Sequence, residues 1–439
     1  MHMPVNTTVK AIIVSGMILG LMIPTLFISN LVGDRASRKE EVLNDVRDKW
    51  ASSQTVTGPL LMVPYLEHVI GDDGKPRVIQ RMAYFLPEHL RIKADMQPRI
   101  RYRSIYKVPV YEGNVAMEGD FSALPLGALQ IAPQDLLLAQ ATLCLGLGDP
   151  RGIEEPLEVR WDDQALVLNA GVPGNEVLES GMNVAPPLTD PASVHRFSVR
   201  LRLKGSDKLY FTPLGKTTEV GLSSTWPTPS FDGSFLPMDK TVSDKGFTAD
   251  WKVLYLNRNY PQYWVNKKCD FSASTFGVNL FEASDLYSQT TRCVKYAILF
   301  IGLTFGLYFF LEIFQDKKVH LMQYVLVGLA LCVFYTLLLS VSEYLGFSIA
   351  YGIAGGATVL LIALYTGSVF GKAGVGWLFG SILTALYGFI YVLIQLEDGA
   401  LLFGSIGLFV ILAVVMYYSK RVDWYKGAVL KKGPEPSIS

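Results

Sequence analysis

The chain has 439 residues, with 39 basic and 39 acidic side chains and a formal net charge of zero. Half of its residues are hydrophobic and the mean hydropathy is +0.29, high for a water-soluble protein. The balanced charge gives no reason to expect a nucleic-acid partner, and the length leaves room for one soluble and one membrane domain.

The first apolar run is Ala11 to Val32. It is long for the core of a signal peptide, and no small-x-small cleavage site precedes Gly33. An uncleaved signal-anchor helix is expected, with Pro24 as a point for a kink. Asp34 to Trp50 is charged and carries Val42, Leu43, Val46 and Trp50 at helical spacing, as a stalk helix would. From about Ser52 to Ser288 the pattern changes to short runs rich in β-branched and aromatic residues, broken by Pro and Gly. Leu60 to Ile70, closed by Gly71-Asp72-Asp73-Gly74, is one such run and Val78 to Leu86 the next. Ser193 to Leu203 alternates apolar with polar residues, and Leu209 to Thr212, Thr217 to Leu222 and Phe247 to Leu256 continue the series. Short strands with turns between them predict an antiparallel sandwich, and about 240 residues suffice to bury a core.

The last third holds five more apolar runs: Val294–Phe314, Leu321–Leu339, Leu345–Tyr365, Gly376–Leu396 and Ala400–Tyr418. Each approaches the roughly 20 residues that a helix needs to cross a bilayer. The breaks fall at Gln315–Val319, Ser342–Tyr344, Thr366–Val375 and Glu397–Gly399, so only helical hairpins fit. Lys317, Lys318, Lys372 and the tail Lys420, Arg421, Lys426, Lys431 and Lys432 mark one side as cytoplasmic. Glu343, Glu397 and Asp398 then face outward. Arg35, Arg38 and Lys39 after the first run favour the opposite sense locally; the parity of six spans overrides them. Both termini are expected inside and the long middle segment outside.

The expected architecture is a membrane α-helical bundle of six transmembrane helices with an inserted, all-β, sandwich-like periplasmic domain. Residues 1–33 form the cytoplasmic N-terminus and first span, 34–290 the periplasmic stalk and β-rich domain, 291–419 the five-helix block, and 420–439 a basic cytoplasmic tail. Gly16/Gly20, Gly302/Gly306, Gly352/Gly356 and Gly376/Gly380 are spaced for close helix packing.

Catalytic signatures are missing. His2, His68, His89, His195 and His320 share no metal-ligand spacing with each other or with a cysteine. No phosphate loop, GxSxG or GxGxxG motif occurs, so neither a cofactor nor a catalytic residue is expected. The Pro-rich segment Trp226–Phe231 reads as a rigid packed turn. Glu312 is the one carboxylate well inside an apolar run, and a local ion pair or a snorkelling side chain is expected there rather than an ion-coupling role. Glu343, Glu397 and Asp398 are candidate acids for docking the outer domain, or simply tolerated loop acids. Cys332 serves as a small apolar residue. A Cys269–Cys293 disulfide fits an oxidising compartment and leaves Cys144 unpaired.

Several long stretches resemble the CreD family of inner-membrane proteins. They are SQTVTGPLLMVPY (Ser53–Tyr65), WPTPSFDGSFLP (Trp226–Pro237), LNRNYPQYW (Leu256–Trp264), the segments Lys295–Glu312, Gln323–Tyr351 and Tyr387–Phe409, and KRVDWY (Lys420–Tyr425). One departure is Tyr102-Arg103-Ser104-Ile105-Tyr106, where the family pattern is of an Arg-Gly-Ile-Tyr type. The resemblance implies a bacterial inner-membrane protein under a two-component envelope-response system, supporting envelope integrity, with links to β-lactam response and colicin tolerance. It supplies no catalytic residue. The first functional expectation is therefore a non-enzymatic integrity protein whose outer domain recognises an envelope component. Its partners would be the lipid bilayer and other envelope proteins or cell-wall components. The second is a transporter or lipid-handling protein, with a hydrated cavity reaching Glu312 or Gln395. A periplasmic hydrolase is a third class, without a motif to support it.

Overall fold

The computed structural model describes residues 7–70, 75–173, 177–265, 267–280, 286–315, 317–396 and 399–420. The chain divides into two compact units, Met1–Lys39 with Ser284–Ser439, and Glu40–Ala283. Helix α1 runs from Thr7 to Trp50 without a break, with Pro24 inside it. Its first part belongs to the helical unit and its last turns to the β-rich unit.

The β-rich unit opens with β1 (Gln54–Ile70), β2 (Pro76–Phe85), β3 (His89–Arg103) and β4 (Tyr106–Phe121). A short helical turn, α2 (Leu126–Leu129), precedes β5 (Thr142–Leu147), β6 (Glu158–Trp161), β7 (Gln164–Val167), β8 (Asn169–Ala170) and β9 (Gly181–Val184). Then come β10 (His195–Ser206), β11 (Lys208–Phe211), β12 (Thr217–Ser224) and β13 (Ser230–Gly233). The series ends with β14 (Asp239–Ser243), β15 (Gly246–Leu254), β16 (Tyr263–Val265) and β17 (Phe276–Asn279). Nine strands form one sheet, ordered β13-β17-β11-β1-β5-β9-β8, with β2 and β16 branching from β1. Eight form the other, ordered β14-β15-β12-β3-β4-β10-β6-β7. One core contains residues of both sheets, among them Val56, Leu61, Cys144, Ile92, Val199 and Trp251. Strand β1 is buried on both faces over its middle, as a strand covered on both faces of its sheet is, whereas β12 and β15 alternate buried with more exposed positions, as strands with one solvated face do. The Pro-rich segment is a packed turn, with Trp226 nearly buried and its indole N–H donating to the Thr228 carbonyl at 3.1 Å.

Strands β3 and β4 pair down to Arg103↔Tyr106, so Ser104 and Ile105 alone make the hairpin turn. Ser104 sits at φ +56, a left-handed conformation that glycine adopts freely and an L side chain does not. Replacing Ser104 with Gly is expected to stabilise the β-rich unit by about 1 kcal/mol, read as a rise in its thermal midpoint.

The helical unit continues with α3 (Leu286–Lys295), α4 (Ala297–Phe314), α5 (Leu321–Leu345), α6 (Phe347–Phe370), α7 (Ala373–Gln395) and α8 (Ala400–Ser419). With α1, six of these helices are long and apolar enough to cross a membrane. The expected breaks at Ser342–Tyr344 and Thr366–Val375 are largely helical instead. Chain reversal is compressed into Gly346 at φ +78 and into Gly371 at φ +69 with Lys372. Glycines tolerate these angles, so the polar residues beside them stay helical. The core is aromatic: Phe300 packs against Tyr335, Phe334 and Tyr387, and Tyr308 against Tyr324, Phe370 and Phe379.

One expectation is corrected. Gly16, Gly20, Gly302, Gly306, Gly352 and Gly356 face open space, so three of the four spaced glycine pairs do not seat a neighbouring helix. Gly376 and Gly380 do pack, against Ala363 and Gly367, and Gly355 and Gly328 receive Tyr387 and Leu21. Spacing places two glycines on one face but does not say which face a neighbour covers. The pairing of Cys269 with Cys293, which the sequence leaves open, is not made: all four cysteines are free and buried. Cys269 lies in the β-rich core and Cys293 in α3 of the helical unit, each inside its own apolar packing.

Candidate functional site

Helix α1 carries the polar contacts that organise both units. Near its start, Lys10 forms an ion pair with Glu312 of α4. The same ammonium donates to the Val319 carbonyl at 2.6 Å. Glu312 also accepts from the Tyr324 hydroxyl at 2.9 Å and from the Val319 N–H at 3.1 Å. Both charged side chains are largely buried, at 15% and 11% exposure. Burial of a carboxylate is tolerated only when its lone pairs are taken, and here a cation, a phenol and an amide take them. Glu312 is ion-paired, but not locally: its cation is Lys10, some 300 residues away, and not Lys317 or Lys318. With its oxygens so occupied, Glu312 fixes the α4–α5 connection; the capping box of His320 and Gln323 closes the start of α5 beside it.

Glu343 lies in the last turns of α5. It accepts from the Tyr287 hydroxyl of α3 at 3.0 Å, and Arg35 of α1 approaches to 3.9 Å. This acid therefore works within the helical unit. Glu397 and Asp398 lie outside the described residues.

In the β-rich unit, the end of α1 and the start of β1 are held by a second polar cluster. Arg47 pairs with Asp207 at 2.5 Å. The Trp50 ring lies between the Arg101 guanidinium, 3.9 Å from its centroid, and the Lys204 ammonium at 4.7 Å. Leu43, Val46 and Trp50 pack on Val108 and Val110. One turn on, Asp149 is buried and accepts from the Ser52 N–H at 2.9 Å, the Ser52 hydroxyl at 3.0 Å and the Arg151 N–H at 3.1 Å. The Arg151 guanidinium grips it at 2.8 and 3.0 Å. That guanidinium is the main reason the Asp149 carboxyl is held far below the usual carboxylate range, with the Ser52 and Arg151 amides adding to it. Gln54 is fully buried; its amide donates to the carbonyls of Asp149 and Lys204, both at 2.9 Å. Gly152 is required there, because a Cβ would lie 2.3 Å from the Lys204 carbonyl and 2.4 Å from the Gln54 amide.

Sequence reasoning identified Glu312 and the apolar spacing that ends in Trp50, but missed Gln54, Asp149, Arg151 and Asp207. Their partners are distant in the chain, and an isolated Asp or Gln gives no signal of its own. The clustered polar residues build a joint: every strong donor and acceptor at Asp149 is spent on the chain itself. Among the described residues no group of three or more His, Cys, Asp or Glu is placed to hold a metal ion.

The family model described as inner membrane protein CreD matches residues 6–425. The inner membrane protein CreD of Escherichia coli (strain K12) is 32% identical over 416 residues, spanning 93% of this chain and 92% of that protein. The chain belongs to the CreD family. It is accordingly a multi-pass inner-membrane protein of the CreD type, with six apolar helices and a large β-rich unit. Among solved structures, a mutant M1 zinc metallopeptidase of Deinococcus radiodurans is 13% identical, with 38% of each chain covered and a TM-score of 0.18. The M1 zinc metallopeptidase of the same organism is 12% identical, covering 81% of this chain and 96% of that one, with a TM-score of 0.19. Scores this low carry no inference about fold or chemistry.

Proposed function

We propose that this protein supports the integrity of the cell envelope by binding rather than by catalysis. Its β-rich unit recognises an envelope component on the periplasmic side, both termini are cytoplasmic, and the helices hold the recognising unit at the membrane. The alternation of basic and acidic breaks along the helical block supports that orientation. The observation that carries the reading is the build of the β-rich unit: a large two-sheet body whose most perturbed carboxylate, Asp149, closes a structural joint instead of facing an open cleft. Perturbed groups in clefts mark catalysis; this one is inside the joint. Helix α1 is the element through which a bound state would reach the bilayer, since it contributes Lys10 and Arg35 to one unit and Arg47 and Trp50 to the other.

The test is outer-barrier permeability in a strain lacking the protein, restored either by the full chain or by the β-rich unit on a foreign anchor. The deletion is expected to leak, and the full chain to restore the barrier. Restoration by the foreign-anchored unit makes the helices chiefly a tether; restoration by the full chain alone makes the bundle a participant. An intact barrier in the deletion strain removes the integrity role.

A further inference from the structure

The outer face of the eight-stranded sheet carries charged side chains in register. One row crosses six strands as Lys252, Glu219, Arg91, Glu118, Ser198 and Arg160, on β15, β12, β3, β4, β10 and β6. The first four alternate in sign and pair: Lys252 to Glu219 at 3.3 Å, Arg91 to Glu219 at 3.0 Å and to Glu118 at 3.6 Å. The pattern then stops. Ser198, a small residue, stands where the next cation would be, and Arg160 lies beyond it.

Two residues along β10 on either side of Ser198 are Arg196 and Arg200, pointing to the same face. Each is a diagonal neighbour of Arg160, about 7–8 Å away between backbones, within reach of long side chains. Arg160 and Arg196 thus flank one serine at the depression. Neither forms a salt bridge among the described residues, although Asp162 lies near enough to Arg196 to feel its charge, and the nearby carboxylates have partners of their own. Glu118 is held by Arg91, Asp120 by His89 at 3.0 Å, and Asp162 by His195 at 2.8 Å and by the Arg196 amide at 2.7 Å. Glu158, two residues before Arg160 on β6, stands opposite Arg200 by continuation of the register, away from the depression. Beside the small serine lies a depression of about 550 Å³, lined by Arg91, Arg160, Arg196 and Ser198 and by the already paired carboxylates of Glu118, Asp120, Asp162 and Glu219.

We propose that this depression binds an oxyanion, a phosphate or a carboxylate group, between Arg160 and Arg196 with the Ser198 hydroxyl as a further donor. Guanidinium groups present paired N–H donors that match the oxygens of such groups. Like charges this close on one sheet face repel, and an anion between them turns repulsion into attraction. The site stands on this geometry alone. That the anion belongs to an envelope polymer rests on the periplasmic reading above.

The experiment uses the full chain in phosphatidylcholine nanodiscs, titrated calorimetrically with inorganic pyrophosphate or with tricarballylate. One of the two is expected to bind saturably, and more weakly as salt rises. Tighter pyrophosphate identifies a phosphate-bearing component, and tighter tricarballylate a carboxylate-bearing one. R160Q/R196Q is expected to lower the affinity at least tenfold, and Arg81→Gln, on β2 of the other sheet, to leave it unchanged. Ser198→Asp places a carboxylate among the arginines and is expected to lower it as far, which covers the case in which the double variant fails to fold. No binding of either anion, or unchanged affinity in both Ser198→Asp and a folded R160Q/R196Q, overturns the site. If the site is lost in vitro while the same variant restores the barrier fully, the oxyanion site stands and its connection to the envelope falls.

Discussion

Replacing Asp149 with Ala is expected to destabilise the β-rich unit by about 3 kcal/mol, as removal of a buried, charge-assisted acceptor does. The substitution strips partners from the Ser52 and Arg151 amides and releases the Arg151 guanidinium. Asp149→Asn keeps the shape but loses the charge and is expected to cost roughly half as much. The effect has a pH signature. The folded carboxyl is depressed by Arg151, Ser52 and the local amides, so the unfolded chain binds its proton more readily than the folded one. The contribution is therefore fully present above the unfolded value near 4, and it is lost as pH falls from there toward the depressed folded value. Thermal unfolding of the full chain should show wild-type stability falling faster than that of Asp149→Ala between about pH 4 and pH 2. Parallel curves would mean that the carboxylate is not held as described.

The second large effect belongs to Lys10 and Glu312. Glu312→Gln leaves Lys10 as a largely buried cation with only the Val319 carbonyl and the new amide, and Lys10→Met leaves a buried carboxylate with Tyr324 and one N–H. Each single change is expected to destabilise the helical unit by roughly 3 kcal/mol. The combination K10M/E312Q removes both charges and is expected to recover about 2 kcal/mol of the summed loss. Detergent thermal unfolding of the four proteins gives this coupling directly. Additive losses would show that the two charges do not act as a pair. A proton- or ion-coupling role for Glu312 would instead predict lost function with stability unchanged.

Much of this protein was legible in its sequence because the bilayer imposes a length and the sheet a period. Six apolar runs near 20 residues had to become helices, since backbone N–H and C=O groups in hydrocarbon must be satisfied internally. Alternation in Ser193–Leu203 marked β10, and the apolar spacing ending at Trp50 marked the last turns of α1. The segment Tyr102–Tyr106 reads as a local turn, and the left-handed angle of Ser104 within it is visible only in the fold. Glu312 announced itself as a carboxylate in an apolar run that required a partner.

What the tertiary structure decided is which partners those residues meet. Lys10 rather than Lys317 or Lys318 neutralises Glu312, because helix packing and not sequence distance brings cations near. Gly355 and not Gly352 or Gly356 receives a neighbour's ring, because facing depends on rotation about the helix axis. Gln54, Asp149 and Arg151 meet only when β1, β10 and the loop after β5 come together, and Arg160 joins Arg196 beside Ser198 only once β6 pairs with β10. Local pattern is set by the period of each element and is written in consecutive residues; long-range contact is set by how elements are registered against one another, which no short stretch of sequence contains.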